Sequence, residues 1–298
     1  MTEKEKGFLL LTCSLGDGKR PKLTVAQFRV LAQRVVAMDV PQVERELTAA
    51  DLKNLGYGAE MAGRIVALLE QEDVLDHYLN RGYRAGCRCI SRISNLYPLR
   101  VRKKLGLEAP GCLWSKGDTG LLELPKAALV GSRDIDPDNL AFAREVGRQA
   151  ALQGYVLVSG NARGADKAAQ EACLAAGGQV ISVVADELYK QESRENVLYL
   201  SEDGFDEMFS AQRAISRNRV IHSLAQVTFV AQTGFQRGGT WDGTVKNLRF
   251  GWSRVCVFQD GSQGQKQLCD MGAAAVDWQQ LTDISLLTDE DRTMFEEW

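Results

Sequence analysis

Two glycine-bearing loops, each with an arginine, are the residues of this chain best suited to bind a ligand. The first follows the apolar run Ala127–Val130, the second follows Tyr155–Val158, and each leads into an alanine-rich helical pattern. Glycine lets the backbone approach a ligand, while free N–H groups at a helix N-terminus and a guanidinium favour an anion. We predict phosphate binding by Gly131, Ser132 and Arg133 of the first loop and by Ser159, Gly160, Asn161, Arg163, Gly164 and Lys167 of the second.

Two later segments extend this candidate site. They contribute Arg213, Arg217, Asn218 and Arg219 from a stretch without acids, and Gly238, Gly239 and Thr240 from a glycine-rich turn. Arg163 would act as a forked phosphate donor, with the hydroxyl groups of Ser132 and Ser159 as neutral donors. Asp166 would cap its helix or brace Arg163. The alternatives are ordinary turn chemistry for each loop and a surface ion pair for each arginine.

The elements that must position these loops alternate between strand and helix. Short apolar runs rich in β-branched residues predict strands, and helical patterns separate them. The predicted strands are Ala127–Val130, Tyr155–Val158, Val180–Val184, Val227–Ala231, Val255–Phe258 and Ala274–Val276. This alternation predicts a parallel sheet, with the loops meeting at the carboxyl ends of its strands. The acidic stretch Asp186–Asp206 is expected to be irregular.

The domain organisation follows from where these patterns begin and end. We predict a helical domain over residues 1–80, an extended Rossmann-like domain over 81–282 and an acidic tail over 283–298. The fold class is α/β, a parallel sheet preceded by a small helical domain. In that domain Val25–Asp39 has a helical apolar face, Thr48 is a candidate cap, and two short helices hinge at Gly56-Tyr57-Gly58. The tail is a solvated helix, a partner-binding motif or a phosphate mimic.

The overall charge does not itself indicate nucleic-acid binding. At a net charge of −3 and a pI near 5.6, any cationic surface must be gathered on one face. Residues 81–104 are the clearest local excess, with basic side chains, no acid, and Tyr83 and Tyr97 interleaved. Such a run either neutralises phosphates and stacks bases or forms a solvated face whose arginine stems cover apolar surface.

The cysteine pattern and the hydropathy exclude several classes of protein. Seven cysteines, an odd number at scattered spacings, fit a reducing cytoplasm. Cys87-x-Cys89 is the only close pair and His77 and His222 are the only histidines, so we expect no metal site and no cofactor. No apolar run approaches about 18 residues, so no membrane span is expected. The apolar opening of the chain follows glutamates, which argues against a signal peptide.

Four motifs in succession carry a resemblance to a known family. They are VGSR at Val130–Arg133, SGNARGAD at Ser159–Asp166, AxxACLAAGG at Ala169–Gly178 and SRNRVIHSLA at Ser216–Ala225. This series resembles the DprA/Smf family, the DNA-processing proteins of bacterial transformation, over roughly Arg92 to Val276. The resemblance implies an extended Rossmann fold that binds single-stranded DNA, a homodimer and, in members acting in transformation, loading of a RecA recombinase. Residues 1–78 resemble the helix-hairpin-helix or SAM-like module that members often carry.

The chain departs from the family pattern at three places. Gln170 stands where a histidine is usual, and Gln232 where a glutamate usually ends a strand. The segment RGGTWDGT, Arg237–Thr244, is more similar to the glycine-rich loop of the wider SLOG superfamily, which includes nucleotide-sensing and nucleotide-cleaving members. In a cleaving enzyme Asp242 would supply the carboxylate near the glycosidic bond, and otherwise it would cap a helix. No winged-helix domain is expected after the last strand.

We therefore expect a cytoplasmic, non-catalytic, DprA-like protein that binds single-stranded DNA as a homodimer. It would protect the strand or mediate loading of a RecA-like recombinase. Two alternatives stay open. The chain could be the DNA- or nucleotide-binding component of a defence or toxin–antitoxin module, with a toxin as partner, or a SLOG-type nucleotide sensor or N-glycosidase.

Overall fold

A mostly parallel sheet runs through the centre of the computed structural model, which describes residues 1–38 and 47–288. Within these residues the strands are β1 Arg88–Ser91, β2 Cys112–Lys116, β3 Lys126–Val130, β4 Val156–Ser159, β5 Val180–Val183, β6 Val197–Glu202, β7 Val227–Val230, β8 Arg254–Phe258 and β9 Ala274–Val276. Their order across the sheet is β1-β2-β6-β5-β4-β3-β7-β8-β9. The strands from β6 to β9 in this order are parallel, while β1 and β2 pair antiparallel. The expected Rossmann-like α/β class is confirmed.

Helices precede the sheet and cover both of its faces. The α-helices in the described ranges are α1 Glu3–Thr12, α2 Val25–Val36, α3 Ala49–Asn54, α4 Ala59–Leu69, α5 Glu72–Arg84, α6 Leu99–Leu105, α7 Pro137–Leu152, α8 Ala165–Ala175, α9 Ala211–Ser216, α10 Asn218–Leu224, α11 Gly238–Phe250 and α12 Gln263–Asp270. Short 3-10 helices occupy Gly106–Glu108, Thr119–Leu122, Leu188–Lys190, Gln280–Thr282 and Ile284–Leu287. None of the helices in these ranges is long and apolar enough to cross a bilayer.

The central strand β3 is apolar from Ala127 to Val130, because both faces of the sheet are covered. Ala127 and Leu129 belong to the core on one face of the sheet, together with Phe142 of α7. Ala128 and Val130 belong to the core on the opposite face. A parallel strand covered by helices on both faces buries every side chain, which removes the alternation of polar and apolar residues.

The first five helices have a small core of their own and also join the core of the sheet. Leu31, Leu52 and Ile65 belong to the separate helical cluster. Tyr78 of α5 packs instead with Trp114 of β2, their ring centroids 5.4 Å apart. Thr48 caps α3 as predicted, since its hydroxyl accepts the N–H of Asp51. The domain boundaries at residues 80 and 282 stay predictions, and Asp39 and tail residues 289–298 lie outside the described residues.

Three strands were not predicted from the sequence. The irregular structure expected over Asp186–Asp206 is wrong for Val197–Glu202, which forms β6 between β2 and β5. Its apolar residues are buried in the middle of the sheet, although acids and turn residues flank them. The edge strand β1 and its neighbour β2 carry basic and small polar residues, so their apolar runs are too short to stand out.

Four basic side chains of residues 81–104 donate hydrogen bonds to backbone carbonyl groups. The bonds are Arg92 Nη2 to Gly106 O (2.6 Å), Arg100 Nε to Ala225 O (2.8 Å), Arg102 Nη2 to Ser94 O (2.8 Å) and Lys104 Nζ to Gly251 O (3.1 Å). Tyr97 is buried and donates its hydroxyl to Pro110 O at 3.0 Å. These contacts favour the structural alternative for residues 92–104, because the buried Tyr97 ring is not available to stack on a base. Tyr83 is exposed, with Arg88 over its ring, so the stacking alternative stays open for the first part of the run.

Candidate functional site

The predicted loops meet at the carboxyl edge of the sheet. We name residues 131–136 loop 1, residues 160–164 loop 2 and residues 231–237 loop 3; they follow β3, β4 and β7. Because β3 lies between β4 and β7, the strand order reverses here, and this switch point is where ligands of open α/β sheets bind. The N–H of Ala165 donates to Ser132 O at 3.2 Å, joining loop 2 to loop 1. Thr240 Oγ1 donates to Gly131 O at 2.9 Å, joining α11 to loop 1.

Loops 1 and 2 approach each other closely at Gly164. This residue has a φ of +83° and is the N-cap of α8. A Cβ at this position would lie 2.5 Å from the carbonyl oxygens of Ser132 and Arg133. Only glycine meets both requirements, since other residues are strained at this φ and would push the loops apart.

Two helices point uncapped N-termini at the switch point. The N-caps of α8 and α11 are Gly164 and Arg237, and neither makes a side-chain capping hydrogen bond. Helix α11 begins directly with Gly238 and Gly239, whose backbone is not screened by a Cβ. The positive end of the helix dipole lies at both termini, which favours an anion there. At α8 the N–H groups of Ala165 and Lys167 already donate to Ser132 O and Ala162 O, so the dipole rather than a full set of free N–H groups acts at that terminus.

The cations of the two predicted loops face solvent. Arg133, Arg163 and Lys167 are all exposed. Arg163 Nη2 donates to Asp134 Oδ1 at 2.8 Å, and both side chains of this pair are more than two-thirds exposed. An ion pair so accessible to water exchanges readily for another anion, because its net contribution to stability is small.

The arginines and the asparagine of the α9–α10 segment point inward to partners in the protein. The contacts are Arg213 Nε to Ala185 O (3.2 Å), Arg213 Nη2 to Ser201 Oγ (3.0 Å), Asn218 Nδ2 to Gly239 O (3.0 Å) and Arg219 Nη2 to Glu202 Oε2 (3.2 Å). Burial raises the pKa of Glu202, while Arg219 opposes the rise. The segment therefore ties α11 and the ends of β5 and β6 to the site.

Arg217 lies buried beneath loop 2. Its guanidinium packs directly against Gly160, where a Cβ would collide with it. It donates through Nη1 to Val183 O, and Nη2 lies 4.0 Å from Asp166 Oδ2. Burial raises the pKa of Asp166 to about 6, against the opposing effect of Arg217. Asp166 thus braces Arg217, where the sequence had suggested Arg163.

Polar side chains that the sequence did not single out as contacts shape the loops. Gln170 donates to Ser159 Oγ at 2.7 Å and to Gly160 O, so both predicted site residues have a partner below the loop. Ser159 itself is fully buried. Asn161 Nδ2 donates to Gln191 Oε1 at 3.0 Å. None of these three bonds has a local sequence signal, because each joins residues that only the tertiary fold brings together.

The two glutamine departures occupy structural positions. In loop 3, Gln232 accepts the N–H of Asp136 at 2.8 Å and donates to its carboxylate at 2.6 Å, which fixes loop 1 against loop 3. The capping role considered for Asp242 is wrong, since the N-cap of α11 is Arg237 and Asp242 lies one turn inside the helix. Across residues 1–38 and 47–288 no cluster of His, Cys, Asp and Glu could hold a metal ion.

A mostly parallel sheet with glycine-bearing loops at its switch point defines a Rossmann-like α/β protein. The chain belongs to the family described as DNA recombination-mediator protein A, which matches residues 88–286. The resemblance to the DprA/Smf family is thereby confirmed. This match includes the predicted site residues and begins at β1, after the first five helices.

Two curated relatives are DNA processing proteins named DprA. The Streptococcus pneumoniae protein is 33% identical over 141 residues, 44% of this chain and 50% of the relative. The Bacillus subtilis protein is 26% identical over 206 residues, 64% of this chain and 68% of the relative. The matched region thus spans about half of the length of the first relative and two-thirds of the second.

Solved structures of the same family are similar over more of the chain. The crystal structure of Streptococcus pneumoniae DprA has a TM-score of 0.73 at 25% identity and covers 97% of this chain and 99% of its own. A structure of Helicobacter pylori DprA, described by its single-stranded DNA binding mode, has a TM-score of 0.57 at 24% identity. It covers 67% of this chain and 95% of its own. The first similarity includes the helices that precede the sheet.

Proposed function

We propose that this chain binds single-stranded DNA at the switch-point edge through the phosphate backbone. The observation that carries the proposal is the convergence of two uncapped helix N-termini with the exposed Arg133, Arg163 and Lys167 on one edge. Membership of the DNA recombination-mediator family and the DNA bound by the Helicobacter pylori relative support the same ligand.

The geometry favours a single strand bound without regard to sequence. Backbone N–H groups, arginine and lysine contact phosphates, which carry no base identity. The exposed cations of loops 1 and 2 and the start of α11 lie on neighbouring elements that contact one another, so a strand that follows this edge can bring successive phosphates to them. A flexible single strand does this more easily than a stiff duplex.

We further propose that the site binds without catalysing a reaction. Asp134 pairs with Arg163, and Asp136 is held by Gln232. Asp166 is buried beneath loop 2. These three carboxylates therefore hold the loops in the free protein, which favours a binding role over acid–base catalysis at loops 1 and 2.

The wider role we propose is that of a mediator in the cytoplasm. The chain would act as a homodimer that protects single-stranded DNA or passes it to a RecA-like recombinase; a toxin is the alternative partner. All seven cysteines are free, which fits a reducing compartment.

The experiment that tests the proposal is fluorescence anisotropy with a labelled oligonucleotide, single-stranded and duplex, at a low and a high salt concentration. We expect tighter binding of the single strand and a steep loss of affinity at the higher salt, because phosphate contacts release counterions. Absence of binding at low salt would contradict the proposal. Titration with a labelled nucleoside triphosphate would then test the nucleotide-sensor alternative.

A further inference from the structure

Asp166 and Arg217 form a pair of opposite charges buried under loop 2. Asp166 is the second residue of α8, and Arg217 joins α9 to α10. Asp166 is 7% exposed and Arg217 8% exposed. Both side chains therefore act on the ligand site from beneath the loop.

The pairing of these charges is incomplete. The closest oxygen and nitrogen atoms, Asp166 Oδ2 and Arg217 Nη2, are 4.0 Å apart. Arg217 Nε is buried and has no hydrogen-bond partner among the described residues, while Nη1 is used by Val183 O. A buried guanidinium compensated so loosely retains attraction for a second anion.

The surroundings of Asp166 have opposing effects on the pKa of its carboxyl group. Burial disfavours its carboxylate, whereas Arg217, Arg133 and the N–H of Ala162 favour it. The N–H of Ala162 in loop 2 donates to Asp166 Oδ2 at 3.3 Å, which links the carboxylate to the loop backbone. The outcome is a pKa of about 6, so a small additional negative potential is enough to protonate the group near neutral pH.

The groups that face Arg217 come from several elements. Arg133 of loop 1 repels it. Asp166 of α8, Asp186 after β5 and Glu202 of β6 attract it. Glu202 is already bonded to Arg219 and Ser216, which leaves Asp166 as the nearest carboxylate that is not occupied by another cation.

We propose that Asp166 is the resident counter-ion of Arg217, and that a DNA phosphate at loop 2 takes over this role while Asp166 takes up one proton. The inference rests on the proposed function and adds its regulation by pH. The guanidinium lies directly below Gly160, so a phosphate held by loop 2 and the carboxylate of Asp166 share one cation. Two anions that share a cation repel each other, and protonation of the Asp166 carboxylate relieves this repulsion.

The sign of the pH dependence follows from this exchange. The proton comes from solvent, and the bound phosphate raises the affinity of Asp166 for it. Single-stranded DNA then binds more tightly as the pH falls from 8 toward 6. Each unit by which the phosphate raises the pKa of Asp166 corresponds to about a tenfold gain in affinity once the pH has fallen through both pKa values.

The test compares the full chain with its Asp166→Asn variant by anisotropy, at constant ionic strength between pH 5.5 and 8.5. The neutral amide mimics the protonated acid and still accepts the N–H of Ala162. We expect wild-type affinity to rise about tenfold from pH 8 to pH 6. The variant should bind at pH 8 as tightly as the wild type does at pH 6, with a flat profile. His77→Gln is the matched control, because it removes an exposed histidine of α5 that lies outside the three loops.

A calorimetric measurement keeps the test independent of how well the variant folds. Wild-type titrations at pH 7 in buffers of different ionisation enthalpy report the protons taken up per strand bound, and we expect net uptake. Salt-dependent binding that is independent of pH and takes up no proton would overturn this inference alone. The same holds for a variant that keeps the wild-type pH profile. Absence of binding at every pH would overturn the proposed function together with it.

Discussion

Single charged residues of this site divide into two groups by exposure. Arg133, Arg163 and Lys167 face solvent, where they meet a ligand with little loss of hydration. Arg217 and Arg219 are held by carbonyl or carboxylate groups of the protein. We expect the first group to supply contacts to the ligand, whereas the bonds of the second group fix the shape of the edge that presents them. Substitutions in the two groups are therefore expected to have different signatures.

Replacement of an exposed arginine should change binding and leave stability unaltered. We expect Arg163→Ala to weaken single-stranded DNA binding by roughly threefold to tenfold for every sequence, and to reduce the salt slope by about one. The melting temperature should stay the same, since the pair with Asp134 is exposed. Anisotropy at several salt concentrations and thermal unfolding measure the two effects.

The matched control is Arg148→Ala on α7. Arg148 is also an exposed arginine in an ion pair, with Glu145 at 2.6 Å, but it lies in the last turns of its helix, away from the switch point. Its loss should leave affinity and salt slope unchanged. Equal weakening by both variants would show that Arg163 acts only through net charge.

The buried acid should make stability depend on pH in a definite direction. The pKa of Asp166 is raised from its ordinary value of 3.8 to about 6, so the folded state binds this proton more tightly than the unfolded state. Its contribution to stability is complete below pH 3.8 and is lost as the pH rises through 6. Asp166→Asn cannot ionise. Its free energy of unfolding should exceed that of the wild type by about 2 to 3 kcal/mol at pH 8 and match it at pH 4.

Denaturant unfolding at the two pH values measures this difference. A gain for the variant that is the same at pH 4 and pH 8 would mean that the amide packs better and that ionisation of Asp166 is not the cause. A wild type that is more stable at pH 8 would show that the attraction between Asp166 and Arg217 outweighs the cost of burying the carboxylate.

Between elements, the junction of loops 1 and 2 depends on one glycine. Gly164→Ala adds a Cβ at a φ of +83° and 2.5 Å from two backbone carbonyl oxygens. Gly154→Ala is the matched control, because this glycine has a φ of +74° and nothing within 4 Å of an added Cβ. We expect the control to lose about 1 kcal/mol of unfolding free energy, and Gly164→Ala at least about twice that.

The affinity for single-stranded DNA should also differ between the same two glycine variants. Gly164→Ala pushes α8 away from loop 1, so its affinity for single-stranded DNA should fall, whereas Gly154→Ala should bind as the wild type does. Denaturant unfolding and anisotropy test both expectations. Equal losses of stability in the two variants would show that φ strain alone matters and that the loops tolerate the added methyl group.

The sequence predicted the strands that are apolar throughout and lead into a glycine-bearing loop. Strands β3 and β4 were found within one residue of their bounds, because burial on both faces leaves continuous apolar runs. The sequence missed β6, although its apolar core is similar, because acids flank it and Glu202 lies within it. The carboxylate of Glu202 is accommodated by Arg219, a partner that no local pattern reveals.

The candidate site was predictable as a set of loops and not as a set of contacts. Glycine and arginine at strand ends identified the segments, and the fold brings these segments together at one edge. Burial of Arg217 and its pairing with Asp166 join residues about fifty positions apart. Such pairings form where α8 and α10, which pack on opposite faces of the sheet, meet at its carboxyl edge, and single-sequence patterns do not contain this meeting.

At the scale of the whole molecule, an aromatic cluster joins the first helices to the sheet. The rings of Tyr78, Trp114 and Phe205 lie with centroids 4.9 to 5.4 Å apart. Gly82 of α5 packs against the Trp114 ring so closely that a Cβ would collide with it. The Tyr78 hydroxyl also donates to Asp206 Oδ1 at 2.7 Å. Helices α1 and α5 are therefore part of the same packed interior as β2.

This shared interior predicts that the helical segment and the sheet unfold together. Hydrogen exchange of α5 and β2 under increasing denaturant should show one common opening. Tyr78→Phe should lower the stability of both elements by about 1 kcal/mol through the lost bond to Asp206, and the exposed control Tyr83→Phe should lower neither. Loss of protection in α5 well before β2 would mean that the helices form a separate cooperative unit.

The strand order has a consequence for how the protein is made. Ala127 of β3 pairs with Leu157 of β4 and also with Val227 of β7, one hundred residues further along the chain. During synthesis, loops 1 and 2 are available early, but the start of α11 leaves the ribosome only after that distant pairing becomes possible. A nascent chain that ends before Gly238 lacks one of the two helix N-termini of the proposed site, so we expect it to bind single-stranded DNA more weakly than the finished protein.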